Sequence, residues 1–183
     1  VLPVHFDAAP MSDEMSLKRA EEACAKLREY SIGEKFELTV FPFCEARIEI
    51  VDRAPDNLTC VLCKRGMLKV AEKFAIENRC QGIVTGENLG QVASQTLLNL
   101  STITYGFRLP ILRPLITYDK NEIVNLSRKI STYKISIQDA LCCTARPLHP
   151  ATSSNIDRIL EVEKEIDFEK ILRKVYRGAK RIK

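Results

Sequence analysis

The 183-residue sequence predicts an α/β fold: a parallel, doubly wound sheet with a helical extension at its C-terminal end. Three observations carry this. Short apolar runs alternate with stretches whose apolar residues recur every three or four positions, the pattern of strands joined by covering helices. The run Gly82-Ile-Val-Thr85 passes into a Gly-bearing turn and then an amphipathic stretch, the arrangement by which α/β domains offer backbone N–H groups to anions. Hydrophobic residues make up 45% of the chain and charged residues 28%, the balance of a globular protein long enough for one real core.

Taken in order, residues 1–6 are compactly apolar and read as a buried strand, followed by a turn at 8–13 around Pro10. Residues 14–30 read as a helix, because Leu17, Ala20, Cys24 and Leu27 share a face, and Gly33 suits its end. Residues 36–41 alternate apolar with polar and read as a strand halted at Pro42. Residues 47–51 fit a short strand or a helical turn, and Pro55-Asp-Asn marks a loop. Residues 61–78 read as a helix with Met67, Val70, Ala71 and Phe74 on one stripe, which puts Cys60 at its N-terminus and Cys63 in its first turn. After the strand at 82–85, Asn88 and Gln91 have capping-box spacing and place a helix start at Asn88. Residues 109–113, between prolines, read as a short buried strand. Asp119 and Glu122 repeat the cap signal and open a helix through Ile123, Val124, Ser127 and Ile130. Residues 133–137 are β-like but short. Beyond Pro147 and Pro150, Ser153 or Ser154 caps a last helix through Ile156, Ile159, Leu160 and Glu163. One domain over residues 1–150, with residues 151–183 as its helical extension, is the expected organisation.

No apolar run reaches the length of a membrane span, and His5 and Asp7 interrupt any signal-peptide pattern, so a cytoplasmic location without a membrane partner is expected. The net charge of +4 permits nucleic-acid binding without requiring it. Lys170, Arg173, Lys174, Arg177, Lys180, Arg181 and Lys183 crowd the end of the chain, and read either as a solvated helix end or as contacts to phosphate backbone. Seven cysteines, an odd number, argue against a disulfide framework. Cys24, Cys44 and Cys80 stand alone and read as core or near-core residues.

The chemistry gathers in four places. Cys60-Val-Leu-Cys63 opens a helix, where unpaired N–H groups and the dipole favour thiolate, with Lys64 and Arg65 adding positive charge. Such a pair can exchange disulfides, hold a persulfide or ligate metal. Cys142-Cys143 is vicinal, so one member at most joins Cys60 and Cys63; three thiolates leave an open position, which suits reactive sulfur or a labile cluster better than structural zinc. Residues 85–99 are polar where a ligand would lie, at Glu87, Asn88, Gln91, Ser94 and Gln95. Lys120 stands in the first turn of a helix, an unfavourable place unless an anion is near; a solvent-facing lysine is the other reading. His5 and His149 show no metal-ligand spacing.

In this order, Leu2-Pro-Val-His-Phe6, Cys60-Val-Leu-Cys-Lys-Arg65, Thr85-Gly-Glu-Asn-Leu-Gly-Gln-Val-Ala-Ser-Gln-Thr96, Arg113-Pro-Leu-Ile-Thr-Tyr-Asp-Lys120 and Cys142-Cys143 resemble the tRNA 4-thiouridine synthase family, also known as thiamine-biosynthesis sulfurtransferases, in its CxxC-bearing archaeal-type branch. The resemblance implies a PP-loop pyrophosphatase domain of the adenine-nucleotide α-hydrolase type. It implies an enzyme that uses ATP, with Mg, to adenylate the C4 oxygen of uridine 8 in tRNA, and a cysteine persulfide that replaces that oxygen with sulfur. By it, Cys143 or Cys142 is the catalytic cysteine, and Cys60 and Cys63 belong to persulfide chemistry or, with Cys143, to an iron–sulfur cluster. Thr85, Gly86, Glu87, Gln91 and Lys120 become nucleotide-binding residues. tRNA, ATP and a sulfur donor such as a cysteine desulfurase or sulfide are the implied partners, and an open sheet edge suits a homodimer. The family's Ser-Gly-Gly-x-Asp-Ser run and its ferredoxin-like and THUMP domains are expected to precede Val1. Two other readings compete: a non-catalytic relative that binds metal or a cluster through its cysteines, and a sulfur carrier for the thiamine thiazole.

Overall fold

The first apolar run becomes β1 (Val4–Asp7), which pairs in parallel with β2 (Leu38–Pro42) from Val4↔Thr39 to Asp7↔Pro42. The crossover between them is α1 (Met15–Arg28), so the sequence opens on a β–α–β unit. This computed structural model describes residues 1–13, 15–31, 36–90, 92–138, 143 and 147–182. Gly33, Gln91 and Cys142 therefore lie outside the described residues.

The chain divides into two compact units. The first unit is built from Val1–Cys44, Tyr118–Thr144 and Gly178–Lys183. Its sheet has the order β1-β2-β5, β5 being residues Lys180–Ile182, with α1 packed on β1. Four consecutive β2 residues, Leu38 through Phe41, are buried, as befits a strand between two neighbours rather than one with a wet face. Phe6 stacks on Phe41 with ring centroids 5.4 Å apart and meets Phe43 edge-on at 5.8 Å. Next come α5 (Lys120–Lys129) and α6 (Tyr133–Ser136), with α6 packed against α1. Residues 133–136 are thus helical rather than β-like; Ser136 Oγ donates back to Thr132 O at 3.0 Å, and Arg128 lies 4.6 Å from the Tyr133 ring centroid. Over so few residues the periods 2 and 3.6 are not distinguishable.

Of the basic residues that crowd the end of the chain, Lys170, Arg173, Lys174 and Arg177 lie on a helix, as expected, whereas residues 180–182 leave it and form β5 (Lys180–Ile182), antiparallel to β2 with Leu38↔Ile182 and Val40↔Lys180. The sheet is therefore mixed, parallel on one side of β2 and antiparallel on the other.

The second unit comprises Glu45–Thr117 and Ala145–Arg177. It holds α2 (Cys44–Arg53) from Glu45 onward, which settles residues 47–51 as helix, and then a 3-10 turn (Asp56–Leu58). The long α3 (Thr59–Glu77) follows, then β3 (Ile83–Val84), α4 (Leu97–Thr104) and β4 (Ile111–Leu112). β3 and β4 pair in parallel, a second β–α–β unit. The unit closes with α7 (Ile156–Glu165), capped by Asn155 rather than a serine, and α8 (Phe168–Arg177). Ile50, Val61, Leu62, Ile103, Ile159 and Phe168 are among its fully buried side chains. Gly66 lets α8 close on α3: a Cβ there would stand 3.1 Å from both Leu172 and Phe168. Among the described residues no helix is long and apolar enough to cross a membrane.

Candidate functional site

The segment after β3 is the centre of the site in the second unit. Thr85 N still donates to Leu112 O at 2.9 Å, so the chain leaves the sheet one residue past the strand. Glu87, 9% exposed, then turns its carboxylate inward. Its Oε2 accepts from Arg113 Nε at 2.8 Å and from Thr85 Oγ1 at 3.2 Å, and its Oε1 lies 3.5 Å from Lys64 Nζ. One acid thereby joins the end of β3, the end of β4 and the CxxC helix α3. Half-buried ion pairs of this kind matter chiefly through what they orient, since desolvation offsets much of the attraction. Arg113 Nη2 is buried and has no partner among the described residues. Gly86 is exposed, and a Cβ added there would meet nothing within 4 Å. An exposed backbone beside two basic side chains held by one acid can accept an anionic ligand.

No helix starts at Asn88. Its Nδ2 donates to Leu115 O at 2.9 Å, Leu89 N donates to Ile116 O at 3.2 Å, and Gly90 takes a left-handed φ of 73°. These bonds tie residues 88–90 to the chain beyond β4. Helical structure waits for a 3-10 turn (Ala93–Gln95) and for α4, whose cap is Thr96, accepting from Asn99 N at 3.2 Å. No helix N-terminus at Asn88 therefore offers its N–H groups to an anion.

Cys60 and Cys63 occupy the first turn of α3, Cys60 half-buried and Cys63 8% exposed. The preceding 3-10 turn runs into the helix and satisfies Thr59 N through Asp56 O, so the thiols do not sit on a bare helix start. Arg65 does not serve them. It is 3% exposed, donates to Glu163 Oε1 at 2.7 Å, and caps the carbonyls of Thr102, Ile103 and Tyr105 at 3.1, 3.1 and 2.8 Å. Its charge is spent holding α7 and the C-terminal end of α4 against α3.

Lys120 and Cys143 belong to the first unit. Lys120 is exposed at the first position of α5, behind a complete capping box: Asp119 Oδ1 accepts from Glu122 N at 2.8 Å and Glu122 Oε2 from Asp119 N at 2.7 Å. Those two carboxylates supply the negative charge that a helix start favours, so Lys120 needs no ligand to be tolerated there. Cys143 is exposed, and Cys24, Cys44 and Cys80 are half-buried. Burial pushes the Cys24 thiol up, which suits a structural cysteine. Among the described residues no group of three or more His, Cys, Asp or Glu side chains could hold a metal ion.

A cavity of about 560 Å³ lies elsewhere in the second unit, lined by Lys69, Lys73, Phe107, Glu169, Arg173 and Tyr176 among others. Its charges answer one another: Lys69 pairs with Glu169 at 3.1 Å, and Tyr176 donates to Glu77. Burial first, and then that bond, push the Tyr176 phenol up to about 12. It is not the site the motifs point to. Arg113 and Lys64, which meet Glu87, are not singled out by the sequence, because a basic residue inside a motif carries no sign of the acid it pairs with.

The chain resembles known proteins along most of its length. Two curated relatives are called "Probable tRNA sulfurtransferase": one from Methanothermobacter thermautotrophicus is 41% identical over 97% of this chain and 46% of its own length, and one from Thermoanaerobacter pseudethanolicus is 38% identical over 92% and 44%. A solved structure described as "Crystal structure of a 4-thiouridine synthetase - RNA complex with bound ATP" superposes with a TM-score of 0.91 at 33% identity, covering 98% of this chain and 47% of that one. The chain thus spans just under half the length of these relatives and shares the α/β fold of the solved one. The family described as "Thiamine biosynthesis protein (ThiI)" matches residues 1–168, and with that match beside 41% identity to a curated relative, the chain belongs to this family.

Proposed function

We propose that the protein carrying this chain is an ATP-dependent tRNA sulfurtransferase that makes 4-thiouridine. The observation that carries the reading is the likeness, across 98% of the chain, to a synthetase solved with RNA and ATP. In the proposed reaction the C4 oxygen of uridine 8 attacks the α-phosphorus of ATP and pyrophosphate leaves. The outer sulfur of a cysteine persulfide then bonds to C4, and AMP departs with the former oxygen. A second thiolate breaks the S–S bond and frees the thiouridine. The resulting disulfide returns to thiols at the expense of an external thiol reductant.

In this reading residues 85–87 and Gln91 line the nucleotide site, with Glu87 acting on ATP indirectly by aiming Arg113 and Lys64. Gly86 gives the phosphates close backbone approach, Mg accompanies ATP, and Lys120 contacts phosphate. Cys143 or Cys142 carries the sulfur, and Cys60 and Cys63 serve the same sulfur chemistry. A cysteine desulfurase supplies it to the thiol as sulfane sulfur, or sulfide supplies it by opening the disulfide left by the previous turnover in place of the external reductant, in the cytoplasm, to a homodimer. The family's description favours a second role, sulfur delivery for the thiamine thiazole. Nothing in the relatives' names favours a non-catalytic metal-binding role.

The test is the 4-thiouridine content of tRNA from a deletion strain complemented with the full gene or with Cys60→Ser, Cys142→Ser or Cys143→Ser. The expected result is loss of thiouridine on deletion, recovery with the full gene, and no recovery when the sulfur-carrying cysteine is replaced. Unchanged thiouridine in the deletion strain overturns the proposal.

A further inference from the structure

Tyr105-Gly-Phe-Arg108 sets two aromatic side chains and an arginine around a glycine, and all four residues line the cavity of the second unit. The loop is pinned at three points. Arg65 Nη1 donates to Tyr105 O at 2.8 Å, and Glu72 Oε1 accepts from Arg108 N at 2.6 Å and Leu109 N at 3.0 Å. Gly106 makes the turn between them with a left-handed φ of 81°. The Arg65 guanidinium also lies 5.8 Å from the Phe107 ring centroid and steadies that ring. The side chains at 105, 107 and 108 are therefore presented by a backbone fixed before anything binds, which lowers the cost of binding.

The rest of the wall comes chiefly from α3 and α8. Its acids are all engaged: Glu72 by the loop N–H groups, Glu77 by Tyr176, and Glu169 by Lys69. Lys73 lies 4.4 Å from the Tyr176 ring centroid and 4.0 Å from Glu77. These pairs leave two guanidinium groups over. Arg108 meets no acid among the described residues, and Arg173 donates only from Nε to Glu169 O, on its own helix, at 3.3 Å. Arg177, four residues further along α8, extends the positive face beyond the cavity. Tyr105 and Ile76 remain 56% and 46% exposed here, apolar surface within a concave wall.

A volume of about 560 Å³ is in the range of small-ligand pockets. Aromatic side chains suit a flat ring that stacks, and guanidinium groups suit phosphate oxygens. The two spare guanidinium groups stand on different elements, one on the loop and one on α8, so the wall offers two anion positions rather than one. A nucleotide within a strand carries a phosphate on each side, whereas a free nucleoside monophosphate carries one. We propose that this cavity seats one unstacked nucleotide of single-stranded RNA, its base against Tyr105 and Phe107 and its flanking phosphates against Arg108 and Arg173. The inference rests on the reading of the protein as a tRNA-modifying enzyme, and it adds an RNA contact outside the turn at residues 85–87.

The test titrates the full-length protein with a fluorescein-labelled single-stranded RNA heptamer and with an unmodified tRNA transcript, over a series of salt concentrations. The variants are Tyr105→Ala, Arg108→Gln and Arg173→Gln, at exposed positions where the urea midpoint is expected to match the parent. Lys174→Gln, on the same helix, is the charge control, because its ammonium is already paired with Glu49 at 2.8 Å. Tyr105→Ala is expected to weaken heptamer binding about tenfold without changing its salt dependence. Arg108→Gln and Arg173→Gln are each expected to weaken it several-fold and to lower the slope of log K against log salt by about 0.7, the share of one phosphate contact on a single strand. Lys174→Gln is expected to leave both unchanged, and ultraviolet cross-linking to join the heptamer to the tryptic peptide that holds Tyr105 and Phe107. Unchanged affinity and slope in both arginine variants overturns the inference. So does AMP binding that these substitutions abolish while RNA binding is untouched, which would make the ligand a free nucleotide. Failure of the parent protein to bind the tRNA transcript overturns the functional reading instead, and the heptamer still decides whether the cavity takes RNA.

Discussion

Gly86 separates a structural need from a functional one. A Cβ there meets nothing within 4 Å and its φ is not left-handed, so the fold does not require glycine. Gly86→Ala in the full-length protein is expected to leave the urea midpoint within about 0.5 kcal/mol of the parent. If phosphates approach this backbone, ATP affinity falls about tenfold, about 1.4 kcal/mol. Unchanged affinity by calorimetry would move the nucleotide away from residues 85–87. Arg65 shows the opposite case. Sequence placed it beside Cys63 as a positive neighbour, but burial against Glu163 and three carbonyls makes it a brace. Charge is visible in a sequence; the partner that neutralises it, almost a hundred residues away, is not.

At the scale of elements, two identical local signals had different outcomes. Asp119/Glu122 and Asn88/Gln91 both carry a cap residue with its partner three positions on. The first forms a complete capping box on α5. At the second, Asn88 serves a carbonyl beyond β4 and Gly90 turns left-handed, so long-range bonds override the local preference. The long helix α3 and the parallel strand β2 were legible because their periodicity runs over many residues. The helix at 133–136 was not, being too short to show a period, and neither was β5, whose pairing with β2 is a long-range event. Asp119→Ala is expected to cost about 1 kcal/mol in urea unfolding, since it removes the hydrogen bond to Glu122 N from an exposed helix start. A loss below about 0.3 kcal/mol would mean that α5 is held by packing rather than by its cap.

For the whole molecule, His5 sets a pH dependence. Burial, more than the nearby Arg19, holds its imidazole below the ordinary 6.5, against the raising influence of Asp7 and Glu21. Its Nε2 is buried without a partner among the described residues. With the folded-state value depressed, the unfolded chain takes up the proton first. Stability is therefore complete above pH 6.5 and declines as pH falls from there toward the folded-state value. Urea midpoints measured across that range are expected to fall in the parent and to flatten in His5→Gln; equal slopes would place the acid sensitivity elsewhere.

β5 has a consequence for how the protein is made. The ribosome delivers β1, α1 and β2 before the second unit, yet the strand that covers the far side of β2 lies at residues 180–182, after it. Domains usually fold in the order of synthesis. Here the first unit cannot be finished that way: until Lys180–Ile182 emerge, β2 keeps a row of backbone groups able to pair with another nascent chain. The three residues that looked like part of a frayed tail complete the pairing of β2 in the described sheet, and the interval before they arrive is when a chaperone has most to do.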